Sequence, residues 1–306
     1  MKRPLYNAIH SLIFNPRHLV AALLYRFGGW LPDKLYLQWI IWLDCKRKVE
    51  LDNPKRFNDK LQWLKLYYRD PLWTQMVDKY AVKEIVRERV GEQYVVPCLG
   101  VWNRAEDIEW DKLPDKFVLK TAHDSGNNGV FIIKDKSKIN KKIIRKINQS
   151  LRRDTSLPGR EWPYRDVPRR VFAEQYLEDQ SGELRDYKFF CFDGKVKYLY
   201  VATERQSGKL KFNFFDMSFK PLGMWQSHLP SEKPIEKPEH FEDMKALAAK
   251  LSNGLPEVRV DLYEANGNIY FGEFTFFSLG GMGTFHPDEW DFIWGELIHL
   301  PEANNR

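Results

Sequence analysis

Arg259, Asp261, Glu273 and Thr275 are the residues whose types and spacing best suit chemistry. They lie in one stretch, Val258–Phe277 (VRVDLYEANGNIYFGEFTFF), which reads as two β-strands around a tight turn at Ala265-Asn266-Gly267. Side chains alternate along a strand. A three-residue loop, with Gly267 at positive φ and Glu264 facing Asn268, puts all odd-numbered residues on one face. That face carries the four polar residues with Tyr263, Ile269 and Phe271. The even face carries Val258, Val260, Leu262, Tyr270, Phe274 and Phe276 and is expected to be buried. A two-residue Asn-Gly turn would place Asp261 opposite Gly272 and turn Glu273 to the other side, because a one-residue slip reverses every side chain. The odd loop keeps both carboxylates together, so it is the expected one.

Two carboxylates on adjacent strands repel unless a cation lies between them. Oxygen-only ligands suit a hard ion such as Mg²⁺, which usually arrives with nucleotide phosphates. An ordinary amphipathic hairpin with a solvated charged face carries the same pattern, so the surrounding elements must decide.

Phe117–Lys134 (FVLKTAHDSGNNGVFIIK) sets two apolar strands around a polar loop, His123-Asp124-Ser125-Gly126-Asn127-Asn128-Gly129. Glycines there let backbone N–H groups approach phosphate oxygens, and Lys120 ends the first strand within reach of the same oxygens. The loop is not a P-loop, since no Gly-Lys-Ser/Thr follows and no helix opens at the second glycine. A mobile hairpin loop is the other reading. No Ser-His-Asp or Cys-His arrangement suggests a covalent nucleophile.

The scaffold is mixed. Residues 1 to about 70 read as helical, broken at Asn53-Pro54 and resuming at Phe57–Tyr68, where Phe57, Leu61, Leu64 and Tyr68 fall at helical spacing. A single helix is expected near Thr74–Val90. Residues 94–102, 170–178, 186–192 and 195–203 read as strands, the last two joined by Asp193-Gly194. Residues 137–153 form a basic helix with Ile139, Ile143, Ile147 and Leu151 as its buried stripe. Residues 230–239 are a proline-rich connection. Phe241–Asn253 is a helix stopped by Gly254, 278–283 a glycine-rich turn and 289–297 a last short helix.

The chain has 306 residues, is 43% hydrophobic and 15% aromatic, and carries a net charge of +6. Those values indicate a globular protein with a large core and an anionic partner such as a nucleotide, an acidic glycan or a membrane surface. No aromatic interleaving of the basic residues points to nucleic acid. Cys45, Cys98 and Cys191 form neither a zinc pattern nor a disulfide framework, which suits a reducing cytoplasm. The apolar runs at 19–25 and 35–43 are too short to span a bilayer. Flanked by Arg17, Arg26, Lys34 and Lys46, they fit either a helical layer packed on the main body or peripheral contact with a membrane through residues 1–45.

Six segments in order, NPKRFNDKLQWLKLYYRDP, DKYAVKEIV, LPDKFVLKTAHDSGN, FAEQYLE, DYKFFCFDGKVK and RVDLYEANGNIYFGEFTFFSLGG, make the chain resemble the TupA-like branch of the ATP-grasp superfamily, named for teichuronopeptide biosynthesis. The resemblance covers nearly the whole length. It implies an α+β fold of two lobes gripping ATP. A helical extension (1–70) would precede a catalytic region (71–306), with a glycine-loop lobe at about 117–177 and a metal-binding lobe at about 178–306. Carried over residue by residue, Lys79 and Lys120 would hold phosphates and Ser125, Gly126 and Gly129 would form the covering loop. Glu174, Gln175, Tyr176 and Leu177 would read adenine, Asp186 would bind ribose, and Lys188 would add a phosphate contact. Asp261, Glu273 and Thr275 would bind Mg²⁺. Thr275 stands where Asn is commoner, which makes its direct bond to metal less secure. Arg259 would steady the transferred phosphoryl group.

The reaction implied is carboxylate–amine ligation through an acyl phosphate, in capsular or other cell-surface polysaccharide synthesis. An amino acid or amine would be joined to a uronic acid, in the cytoplasm or at the inner face of the membrane. A glycan kinase and a non-catalytic glycan-binding or membrane-docking protein are the alternatives.

Overall fold

The structure is a computed structural model and describes residues 16–126, 129–178, 184–204 and 210–304. Residues 1–15 of the expected N-terminal helical region lie outside the described residues.

Helices α1 (Pro16–Phe27) and α2 (Asp33–Cys45) open the described chain. Leu37, Ile40 and Ile41 of α2 are fully buried in a small cluster that also takes in Leu66 and Met282. Helix α3 (Phe57–Tyr67) turns Phe57, Leu61 and Leu64 into the main core. Its apolar side chains therefore pack with the body of the protein. Helices α4 (Pro71–Val77) and α5 (Val82–Val90) are separate where one helix was expected. Asp78 ends the first by accepting the Tyr80 and Ala81 amides at 2.9 and 3.0 Å, the local side-chain bond that competes with helix.

Strands β1 (Cys98–Trp102), β2 (Phe117–Thr121), β3 (Val130–Ile133) and β4 (Val171–Gln175) form an antiparallel sheet in the order β1-β4-β2-β3. Helix α6 (Lys141–Leu151), capped by Asn140, packs Ile147 and Leu151 against it, so its lysines face solvent as a basic helix at a protein surface should.

Strands β5 (Asp186–Phe192), β6 (Lys195–Thr203), β7 (Lys211–Asp216), β9 (Glu257–Ala265) and β10 (Asn268–Thr275) form a second antiparallel sheet, order β10-β9-β5-β6-β7. A minor pair, β8 (Trp225–Gln226) with β11 (Phe285–His286), closes one edge. Helix α7 (Phe241–Ser252) covers one face of the large sheet, and α8 (Glu289–Glu296) packs on α3 through Trp294 and Phe57, 5.5 Å apart edge to face. Two sheets with helices on their faces make an α+β fold, as expected.

The β9–β10 hairpin departs from the expected loop. Ala265 pairs with Asn268, and Asn266 (φ 50°) and Gly267 (φ 76°) make a two-residue turn with positive φ at both positions. The register shifts between Phe271 and Glu273, so Gly272 is a bulge. Beyond it Asp261 pairs with Glu273, Val260 with Phe274, and Arg259 with Thr275. Before it the faces are exchanged. Phe271 pairs with Leu262 and Ile269 with Glu264, and both Phe271 and Ile269 are buried in the main core instead of lining the polar face. Tyr270 stands opposite Tyr263 and leaves the apolar side.

Candidate active site

The site begins with three neighbouring strands. Lys188 of β5 is in register with Asp261 of β9, and Asp261 with Glu273 of β10, so the three side chains stand in a row. Arg259, two residues before Asp261, shares its face. Its guanidinium grips Asp261 with two parallel bonds, Nε to Oδ1 at 2.7 Å and Nη2 to Oδ2 at 2.8 Å. It also donates to Thr275 Oγ1 (2.9 Å) and Ser278 Oγ (3.1 Å). Its Cζ lies 5.7 Å from the centroid of the Tyr200 ring. Lys188 donates to Asp261 Oδ2 and pairs with Asp186 at 2.8 Å. Lys79 arrives from the α4–α5 junction, 3.4 Å from Glu273.

The repulsion expected between Asp261 and Glu273 is thus already answered by protein cations. Burial alone would raise the Glu273 carboxyl, but Lys79, Lys188, Arg259 and Lys120 overcome it and hold the pKa at about 2. Burial also pushes Asp261 up while Arg259 and Lys188 pull it back. The balance leaves it above its ordinary value even with a guanidinium on both oxygens and an ammonium on one. Burial would lower the Lys188 ammonium, yet Asp186 and Asp261 raise it.

The smaller sheet supplies a second group. Lys120 at the end of β2 pairs with Glu174 of β4 at 2.6 Å, and Lys83 of α5 pairs with the other oxygen at 2.5 Å. Burial raises the Glu174 carboxyl, and the two lysines reverse that and leave it below its ordinary value. Its side chain holds both ammonium groups. Lys83 was not among the expected site residues, and nothing in its sequence context marks it as a partner of Glu174.

The glycine loop is anchored at both ends. Asp124 accepts from Ser150 (2.6 Å) and Arg153 (3.2 Å), and its carbonyl accepts from Lys79. Gly129 is required there, since a Cβ would come within 2.1 Å of Thr121 Oγ1 and 2.6 Å of Asp124 Cβ. Only the tip opens outward, with Gly126 exposed at φ 66° and Ser125 half-buried; Asn127 and Asn128 lie outside the described residues. The linker after β4 is more open. Gln175 is exposed, its amide bonded to Pro97 O at 3.0 Å, and Tyr176 and Leu177 are half-buried. Asn266 of the hairpin turn donates to Glu178 O at 2.6 Å, tying the two lobes together beside this linker.

The donor set fits a hard divalent cation in type: two opposed carboxylates and a hydroxyl, all oxygen. Glu273 is the open member, with 29% of its side chain exposed. Asp261 would exchange a cationic partner for the metal. Among the described residues no group of three or more His, Cys, Asp and Glu side chains converges into a ready-made metal cluster.

A further set was hidden in α3. Asn58, Gln62 and Lys65 recur at helical spacing beside the apolar stripe, the one signal that could have marked them. They hold the turn after β10. Lys65 donates to Gly280 O (2.6 Å), Gln62 to Gly280 O and Gly281 O (3.0 and 2.9 Å), and Asn58 to Gly283 O (2.9 Å). That turn has three successive residues, Leu279, Gly280 and Gly281, at positive φ, and Ser278 within it meets Arg259. Burial lowers Lys65 to about 8 against the pull of Glu161.

The family profile of TupA-like ATP-grasp proteins matches residues 59–299. No curated protein matches the chain. Among solved structures, the D-alanine–D-alanine ligase of Helicobacter pylori aligns at 14% identity over 81% of this chain and 70% of its own, with a TM-score of 0.49. The D-alanine–D-alanine ligase of Bacillus anthracis complexed with ATP aligns at 19% identity over 71% of this chain and 55% of its own, with a TM-score of 0.39. This chain therefore spans little more than half the length of the latter ligase.

Proposed function

The chain belongs to the TupA-like ATP-grasp family, and from that premise we propose that it is an ATP- and Mg²⁺-dependent, ADP-forming carboxylate–amine ligase. One observation carries the reading. Lys79, Lys188 and Arg259, drawn from separate segments, gather around a directly opposed carboxylate pair, Asp261 and Glu273, with Lys120 held on Glu174 of the smaller sheet.

Phosphoryl transfer needs positioning and charge neutralisation more than a protein nucleophile. In this reading Lys79, Lys120 and Lys188 hold phosphate oxygens, with Lys83 and Glu174 fixing Lys120. Ser125, Gly126 and Gly129 belong to the covering loop, Gln175, Tyr176 and Leu177 face adenine, and Asp186 faces ribose. Asp261, Glu273 and Thr275 would hold Mg²⁺, which when bound neutralises polyphosphate charge. Arg259 steadies the phosphoryl group in flight, and Thr275 and Ser278 orient it. A carboxylate oxygen of the donor attacks the γ-phosphorus, releasing ADP and leaving an acyl phosphate. The amine nitrogen then forms the amide and displaces inorganic phosphate.

The donor proposed is a uronic acid of a cell-surface polysaccharide and the acceptor an amino acid or amine, a choice supported by the family alone. Three free thiols suit a cytoplasmic setting. The test is nucleotide accounting. A ligase forms ADP and phosphate only with both substrates present. A kinase would form ADP without free phosphate and a binder neither, and either result would overturn the proposal. Mass spectrometry of polysaccharide from cells with and without the protein should then show an amide-linked substituent lost.

A further inference from the structure

We propose that the outer side of the α1–α2 pair is a docking face for an anionic membrane surface. Sixteen large apolar side chains are exposed among the described residues, and nine of them lie within residues 19–42. That concentration makes a patch, where scattered apolar residues would need no explanation. The spacing is helical on both elements. Leu23 and Phe27 follow one another on α1, Leu35, Trp39 and Trp42 on α2, and Trp30 in the link is 80% exposed. Helix α2 buries its other side in the cluster under Leu37, Ile40 and Ile41. A helix apolar on both sides is ordinarily covered on both, and among the described residues nothing covers the outer side of this one.

Charge selects the occupant. Residues 16–48 contain six Lys and Arg against two Asp. Asp33 pairs with Arg160 at 3.2 Å, and Asp44, at the surface, accepts from the Tyr25 hydroxyl at 2.6 Å. Arg17 sits 4.9 Å over the Trp42 ring at the edge of the patch. Tryptophans bordered by basic side chains suit the level of lipid headgroups, where an apolar body meets polar contacts and anionic charge. A second copy of this chain would bring the same basic flank against itself. A cavity of about 380 Å³ lined by Gln38, Trp39, Trp42, Lys48 and Val49 would take part of an acyl chain.

The pair is fixed to the body, so docking would orient the whole molecule. Arg160, 4% exposed, donates to Gly28 O at 2.8 Å, Tyr36 donates to Pro158 O at 3.0 Å, and Met282, two residues past the turn held by Lys65, packs in the same cluster. The turn next to Arg259 would thereby be held at a constant distance from the membrane. No helix of the described residues is long and apolar enough to cross a bilayer. The inference does not depend on which reaction the site performs.

The test is sedimentation of the full chain with vesicles of phosphatidylcholine alone or with 30% phosphatidylglycerol. Partitioning at least tenfold stronger onto the anionic vesicles, weakened by 0.5 M salt, is the expected result. Trp30→Ser with Trp39→Ser should lower it tenfold or more without moving the melting temperature, since both rings are exposed. Lys46→Glu with Lys48→Glu should remove the preference for anionic lipid. A full chain that stays in the supernatant with both vesicle types, or binding indifferent to the tryptophan pair, would overturn the proposal. So would a dimer in analytical ultracentrifugation that the tryptophan substitutions dissolve, which would make the cover a second copy.

Discussion

Asp261 and Glu273 stand directly opposite each other because Gly272 is left out of the pairing between their strands. A two-residue turn alone would give that place to Gly272 and point Glu273 away. The bulge restores the parity that the turn takes away. It does so at a crowded point, since a Cβ on Gly272 would lie 3.0 Å from the Tyr263 ring and 3.1 Å from the Asp261 carbonyl. Gly272→Val should therefore cost about 1–3 kcal/mol through overpacking and tilt Glu273 out of line. Thermal melting and ADP release should fall together; a variant with both intact would remove the bulge from the argument.

Asp261→Asn and Glu273→Gln should both abolish turnover but separate in stability. Asp261 is fully buried and is the counter-charge of Arg259 and Lys188. Its neutralisation should cost roughly 3 kcal/mol or more, as removing one partner of a buried ion pair does. Glu273 is the more open carboxylate, and its loss should cost less. Repulsion between the two acids, which alone would make either change stabilising, is outweighed by the cations around them. Chemical denaturation of both variants measures the order.

Acid should destabilise the protein partly through Glu273. Its folded pKa of about 2 lies below its ordinary value of 4.5. Its contribution is complete above about pH 4.5 and is lost as pH falls toward 2, on the order of 2–3 kcal/mol. In Glu273→Gln that limb of the stability–pH curve should flatten.

Glu257 should behave in the opposite sense. It is fully buried at the start of β9, with no hydrogen-bond partner on either oxygen among the described residues, and burial raises its pKa well above normal despite Arg259. Such a group stabilises the fold only while protonated, so stability is lost as pH rises above about 4.5. Glu257→Gln should melt higher than the parent at pH 8, and the difference should shrink toward pH 5.

Lys65, lowered to about 8 from 10.5, is a buried cation. Its folded form gives up its proton earlier than the unfolded chain, so stability should rise with pH from about 8 to 10.5. Lys65→Met should remove that rise. It should also slow turnover, because the turn that bears Ser278 loses one of its two side-chain bonds at Gly280 O.

The sequence by itself determined much of this protein. Alternation of Val258, Val260 and Leu262 against Arg259 and Asp261 marked a half-polar strand, and Ala265-Asn266-Gly267 marked where it turns, though not that Ala265 stays paired, since strand period and turn chemistry are local properties. The order of its short motifs identified the family. Position in a pairing register is not local, and there the reading failed. The extra residue at Gly272 shows only in the pairing of β10 with β9, where a Cβ would crowd Tyr263 and Asp261. The fate of Phe271 and Ile269 follows from the bulge. Lys83, Lys65 and Gln62 look like surface residues on amphipathic helices. Only packing brings Lys83 to Glu174 across the smaller sheet, and Lys65 and Gln62 to a turn more than two hundred residues away. Whether two acids need a metal between them was also decided in three dimensions. Their neighbours Arg259, Lys188 and Lys79 come from three separate elements, and Coulomb energy depends on distance in space, not on separation along the chain.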